Sequence, residues 1–180
     1  MSHFITIGLS KLKIFLSFIA LATLSGCSTS SQPAADTSPS ADGTTYLLTA
    51  EPAGAKSVKE ARSEIQDADE ITVVGRIGGE ANPWIDGLAA FLVVDSSLKP
   101  CNEKDDDACP VPWDYCCDAD TLAANKVMVK VVDPNGKTIA TDARELLGLK
   151  ELQTIVAHGK AQRDDAGNLT VLASSIFIRK

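Results

Sequence analysis

Histidine is almost missing from this sequence, with only His3 and His158 among 180 residues. Aromatic side chains make up 5 % of the chain, and basic residues number 17 against 24 acidic ones. The shortage of base argues against a sequence-independent grip on nucleic acid, which draws its affinity from Lys and Arg neutralising phosphates. It argues equally against adhesion to anionic headgroups. No G-x-S-x-G elbow, H-E-x-x-H helix, phosphate loop or dinucleotide fingerprint occurs, so no familiar catalytic motif points to an enzyme. No apolar run reaches the roughly 20 residues that a spanning helix needs. The longest, residues 14–24, is about half that length.

That short run has telling neighbours. Lys11 and Lys13 precede it, no acid stands before Cys27, and small residues follow it: a positive region, an apolar region and a small-residue exit, the three parts of an export signal. The exit, Leu24-Ser25-Gly26-Cys27, resembles the lipobox of bacterial lipoproteins. The resemblance implies cleavage before Cys27, a diacylglycerol on its thiol and acylation of the new amine. Two or more chains hold a protein on a bilayer where one does not, at roughly 0.8 kcal/mol per buried CH₂. Residues 1–26 are therefore read as a signal peptide and Cys27 as the lipidation site, with palmitate among the expected modifications. The expected location is the cell envelope, anchored by lipid and facing the periplasm. Ser28 follows the cysteine, where an Asp in enteric lipoproteins favours the inner membrane, so its absence leans towards the outer one. Losing two lysines from 17 leaves 15 bases against 24 acids, a mature formal charge of −9.

Residues 28–44 hold no large apolar side chain. Such a stretch cannot bury enough surface to offset its ordering entropy. Residues 27–44 are read as the lipidated cysteine and a flexible tether, and 45–180 as one domain. There, Ser57 and Glu60 form a capping box that opens a helix to about residue 65. Strands follow over 71–77, 88–94 and 127–132, the last closed by a turn at 133–136. Asp142 and Glu145 suggest a second capping box and a short helix ending near Gly148. Strands over 153–162 and 169–179, joined by a turn at 164–168, complete the chain.

Three strands, a helix and two strands is the element order of the OB-fold, a five-stranded Greek-key barrel. Gly75 followed by Arg76 recurs in type as Gly159 followed by Lys160, and strand glycines often mark the bend that lets a small barrel close. With its leading helix and the V-x-G-x-I pattern at 73–77, the stretch 57–180 is similar to the periplasmic bacterial OB-fold family. It departs from that family in an insertion at 96–125. The expected fold is mainly β: an OB-like barrel with a short helix between its third and fourth strands.

The insertion holds Cys101, Cys109, Cys116 and Cys117, every cysteine but the lipidated one, with Trp113 and Tyr115 among them. In an exported protein four local thiols are read first as two disulfide bonds. Neighbouring Cα atoms are about 3.8 Å apart, and bonded cysteines prefer about 5.5–6 Å. Cys116 and Cys117 are therefore expected to reach back to Cys101 or Cys109. The alternative is a metal site of the same four thiols, for zinc or copper, although their spacing lacks C-x₂₋₄-C pairs. A redox role for Cys116 and Cys117 lacks the C-x-x-C spacing. Calcium at Glu103, Asp105, Asp106 and Asp107 lacks the D-x-D-x-D-G ladder. His158 is read as a strand residue.

OB barrels bind ligands on their second and third strands and the adjoining loops, which places Trp84, Trp113 and Tyr115 as candidate ligand contacts. The sequence thus leads to a non-catalytic, membrane-anchored binding protein for a small molecule, glycan or envelope protein, with no cofactor required. The metal or thiol-redox protein is its alternative, and a nucleic-acid-binding OB domain a second one.

Overall fold

The computed structural model describes residues 38–40, 42–105 and 109–180. The chain divides into two units, Met1–Ala34 and Ala35–Lys180. The signal segment, Cys27, most of the tether, and the acids Asp106 and Asp107 lie outside the described residues.

The described residues form six strands: β1 (Lys56–Ser57), β2 (Glu70–Ile77), β3 (Ala90–Val94), β4 (Lys126–Val131), β5 (Thr154–Arg163) and β6 (Leu169–Ile178). Three α-helices join them: α1 (Val58–Glu64), α2 (Ala119–Leu122) and α3 (Ala143–Leu147). The sheet runs β1-β2-β3-β4-β6-β5, and β5 returns to pair with β2. Strands β2 to β6 therefore close into a five-stranded barrel. β1 is an extra strand, parallel to β2. Every barrel pairing is antiparallel except β4 with β6. This is the OB-like arrangement that the element order foretold, with α3 between its third and fourth strands.

The alternation along β2 and β4 explains their facing. Ile71, Val73 and Ile77, with Val127, Val129 and Val131, point into one core, while Thr72, Arg76, Met128 and Lys130 face outward. β3 is apolar on both faces for a reason. Phe91 and Val93 join the barrel core, and Val94 joins a second cluster with Leu98, Tyr115 and Leu122 of the insertion. The closing strand is bent at a bulge between His158 and Gly159. A Cβ at residue 159 would stand 2.0 Å from the carbonyl oxygen of Leu172, so only glycine lets the two strands approach there.

β2 and β3 pair through only two residues each, and β1 takes the β2 edge that β3 does not reach. α1 follows β1 and buries Val58 and Ala61 in the core. Its capping box forms as expected, Ser57 accepting from the Glu60 N–H and Glu60 from the Ser57 N–H. A third N-terminal amide, that of Lys59, donates to Asp95 from the end of β3 at 2.8 Å. At the far end of α1, the Arg163 guanidinium donates to the carbonyls of Arg62 and Ile65.

Two expectations are corrected. Asp142 caps α3 by accepting from the Arg144 N–H and also binds the Arg144 side chain at 2.6 Å, so Glu145 does not complete a second box. The tether ends before residue 44. Ser40 donates its N–H to the Leu146 carbonyl at 3.0 Å, and Gly43–Tyr46 forms a 3₁₀ turn against α3. A Cβ on Gly43 would lie 1.6 Å from that carbonyl oxygen, so the last small residues of the polar stretch are part of the folded unit.

Candidate functional site

Two glycines at the exit of β2 begin the site. Gly79 has φ +99, and its N–H donates to the carbonyl of Trp113 at 3.1 Å. The Trp113 indole N–H in turn donates to the Ala81 carbonyl at 3.1 Å. Within the insertion, Cys101 and Asn102 donate their amides to the carbonyls of Asp114 and Pro112, drawing the two arms together. Ion pairs of Arg76 with Glu103, Lys104 with Asp118 and Lys126 with Glu80 tie down the rest. All are part-exposed, so each contributes little alone.

The aromatic candidates are mostly committed to this framework. Trp84 is only 3 % exposed, tilted against Phe91 at 5.7 Å, under the Arg144 guanidinium at 5.5 Å and donating to Glu151 at 2.6 Å. It is a core residue and offers no stacking face to a ligand. Tyr115 is fully buried, and no hydrogen bond to its hydroxyl is found among the described residues. Burial pushes that phenol up to about 12, with Arg76 pulling it down and Glu103 pushing it up. Trp113 alone stays half-buried, as a latch between insertion and barrel. At the outer face of β3 and β4, where OB barrels commonly bind, lies a concavity of about 170 Å³ among Arg62, Leu92, Lys126 and Met128. Arg62 of α1 reaches this face, donating to the Lys126 carbonyl at 3.1 Å.

With Trp84 and Tyr115 turned inward, the exposed chemistry of the insertion is sulfur from Cys116 and Cys117. Cys101 is buried and Cys109 half-buried, while Cys116 and Cys117 are exposed. Cys116 lies 3.6 Å from Cys101 and 3.8 Å from Cys109, sulfur to sulfur. Ligand atoms of Cys101, Cys116 and Cys117 all fall within 4.8 Å of one another, as do those of Cys109, Asp114 and Cys116. Cys116 is the member common to both groups. Among the described residues no sulfur pair stands at the roughly 2.05 Å of a disulfide, so the expected two bridges are not formed here. The order of the insertion comes instead from its latches and its own small core.

The electrostatics follow from this crowding. The contact with Cys101 pulls the Cys116 thiol down, but hydrogen bonds with Cys109 and Cys117, with some desolvation, outweigh it and leave the thiol above its ordinary value. Lys104 is raised, chiefly by Asp118 and further by Cys117 and Cys101. That ammonium therefore stands where negative charge on sulfur would be welcomed.

Sequence reasoning found all four cysteines but missed Asp114 and Lys104. Nothing distinguishes either from other loop charges until the chain is folded. The vicinal pair brings both sulfurs to Cys101. His158 sits as read, its Nδ1 3.0 Å from the Thr72 hydroxyl, beside a shallow concavity of about 390 Å³ between the 133–136 turn and the bulge of β5. No protein-family model and no curated protein matches the chain.

Proposed function

We propose that this chain is an exported lipoprotein, acylated on Cys27 and held at an envelope membrane, whose OB-like barrel is a non-catalytic carrier for the cysteine insertion. The insertion is its binding surface, for a small ligand, a glycan or an envelope protein. The observation that carries this reading is the division of labour within residues 96–125. Trp113, Tyr115 and Leu122 hold the segment against the barrel, and its four sulfurs fall in two neighbouring groups that share Cys116, with Cys116 and Cys117 exposed. A surface held by a rigid scaffold loses little entropy on binding. The lipobox-like Leu24-Ser25-Gly26-Cys27 and the excess of acid agree with a protein that meets its partner outside the cytoplasm and away from nucleic acid. No helix among the described residues is long and apolar enough to cross a membrane, so the lipid is the anchor this reading relies on.

Amide hydrogen exchange tests it without knowledge of the ligand. The full protein, taken from its own membrane in mild detergent, is compared with the same protein after stripping of small ligands and partners. The expected difference lies in peptides covering 96–125, with the β5–β6 hairpin unchanged. Differences confined to the outer face of β3 and β4, or to the concavity beside His158, would refute the assignment.

A further inference from the structure

We propose that Cys101, Cys109, Cys116 and Cys117 form a thiolate site for a soft closed-shell cation, copper(I) or zinc(II). The inference rests on the reading that the insertion is the binding surface, and names the ligand class.

Distance is the first argument. Four sulfurs placed tetrahedrally at about 2.3 Å from zinc stand about 3.8 Å from one another. The two sulfur contacts of Cys116, at 3.6 and 3.8 Å, match such edges. Cys117 completes a three-sulfur face with Cys101 and Cys116 inside 4.8 Å, a grouping that also suits copper(I), for which thiolates are selective. Cys109, 3.8 Å from Cys116 but grouped with Asp114 rather than with Cys101 and Cys117, is the candidate fourth donor. Asp114 lies with Cys109 and Cys116 as an alternative oxygen donor for zinc.

Chemistry of the surroundings is the second. Each thiol that coordinates loses its proton to solvent, so no oxidant or reductant is required and the sulfurs stay reduced. Three or four thiolates overcompensate the charge of either ion, and the loop also carries Lys104, held in an ion pair with Asp118 at 2.8 Å. Tyr115, next to Cys116 in the chain, keeps a buried hydroxyl without an acceptor among the described residues. Outer groups of this kind orient metal-bound ligands and tune them.

The test uses the full lipidated chain in detergent, reduced and kept anaerobic, titrated separately with copper(I) and with zinc(II) against a chromogenic chelator. The expected result is one ion per chain for at least one metal, with Cys101, Cys116 and Cys117 protected from alkylation in the loaded protein. Cys116→Ser, which removes the sulfur shared by both groups, weakens binding by at least about tenfold, the scale set by loss of mere outer-sphere partners. Cys109→Ser weakens it less. Emission from the buried Trp84 reports that each variant is folded. Should Cys116→Ser unfold, Cys117→Ser and the alkylation footprint of the unmodified chain give the same answer. Stoichiometric binding of neither ion, or a folded Cys116→Ser that binds as tightly as the original, overturns the proposal. So does native protein carrying two disulfides and no metal. In any of these cases an exchange difference confined to 96–125 leaves the binding-surface reading standing, and an exchange difference elsewhere removes both.

Discussion

Asp95 shows how much one side chain decides. It is the one buried charged or polar residue among those described, 4 % exposed, at the point where β3 leaves the barrel for the insertion. Burial pushes its carboxyl up, but the amides of Lys59 and Ser97 and the hydroxyls of Ser97 and Ser57 together hold it below the ordinary value. Asp95 thus ties the start of α1 to the start of the insertion. Asp95→Ala leaves the amides of Lys59 and Ser97 without their part-buried acceptor, and the expected cost is about 1–2 kcal/mol of unfolding free energy, measured by denaturant titration. The sign of its pH dependence follows from linkage. A carboxyl whose folded value is depressed contributes fully above its unfolded value, near 3.9, and its contribution fades as pH falls through the folded value. The stability gap between original and variant should hold constant from pH 7 down to about 5 and close at lower pH. A gap that widens on acidification would contradict the assigned ionisation.

Among the elements, the insertion is the least predictable from local pattern, and the Gly79–Trp113 hydrogen bond is one of the contacts that tie it to the barrel. A Cβ on Gly79 would sit 2.6 Å from Val94 Cγ2 at a backbone angle that side chains rarely adopt. Gly79→Val should therefore free the Trp113 latch while leaving the barrel intact. The expected outcome is red-shifted Trp113 emission with unchanged far-ultraviolet dichroism, and loss of the barrel signal itself would contradict it. The same contrast explains what was legible in the sequence. Alternation in 71–77 and 127–132, the Ser57–Glu60 box and the 164–168 turn are local signals, and each forms where the residues indicate. β1 is only two residues long and exists because β3 is too short to cover β2, a tertiary reason that no local pattern records. Trp84 and Tyr115 read as rim residues because aromatic type says nothing of direction. Their burial depends on Phe91, Arg144 and Val94 arriving from elsewhere in the chain. Asp142 and Glu145 had the spacing of a capping box, and Arg144 took the Asp142 carboxylate instead.

At the scale of the whole molecule, a small acidic barrel closed by β5 on β2 carries a thiol-bearing insertion on one side and meets its lead-in segment against α3. The barrel contributes position, the insertion chemistry and the proposed lipid a place to act. These roles are separable, which makes the account open to a direct check. That check is the intact mass of the native chain, released from its own membrane under non-denaturing conditions and again after acid and reduction. The account predicts a polypeptide beginning at Cys27 with acyl mass on it, losing one metal ion in acid and gaining no hydrogen on reduction. A chain still beginning at Met1 without fatty acid, or one that takes up four hydrogens on reduction and never held a metal, would contradict it.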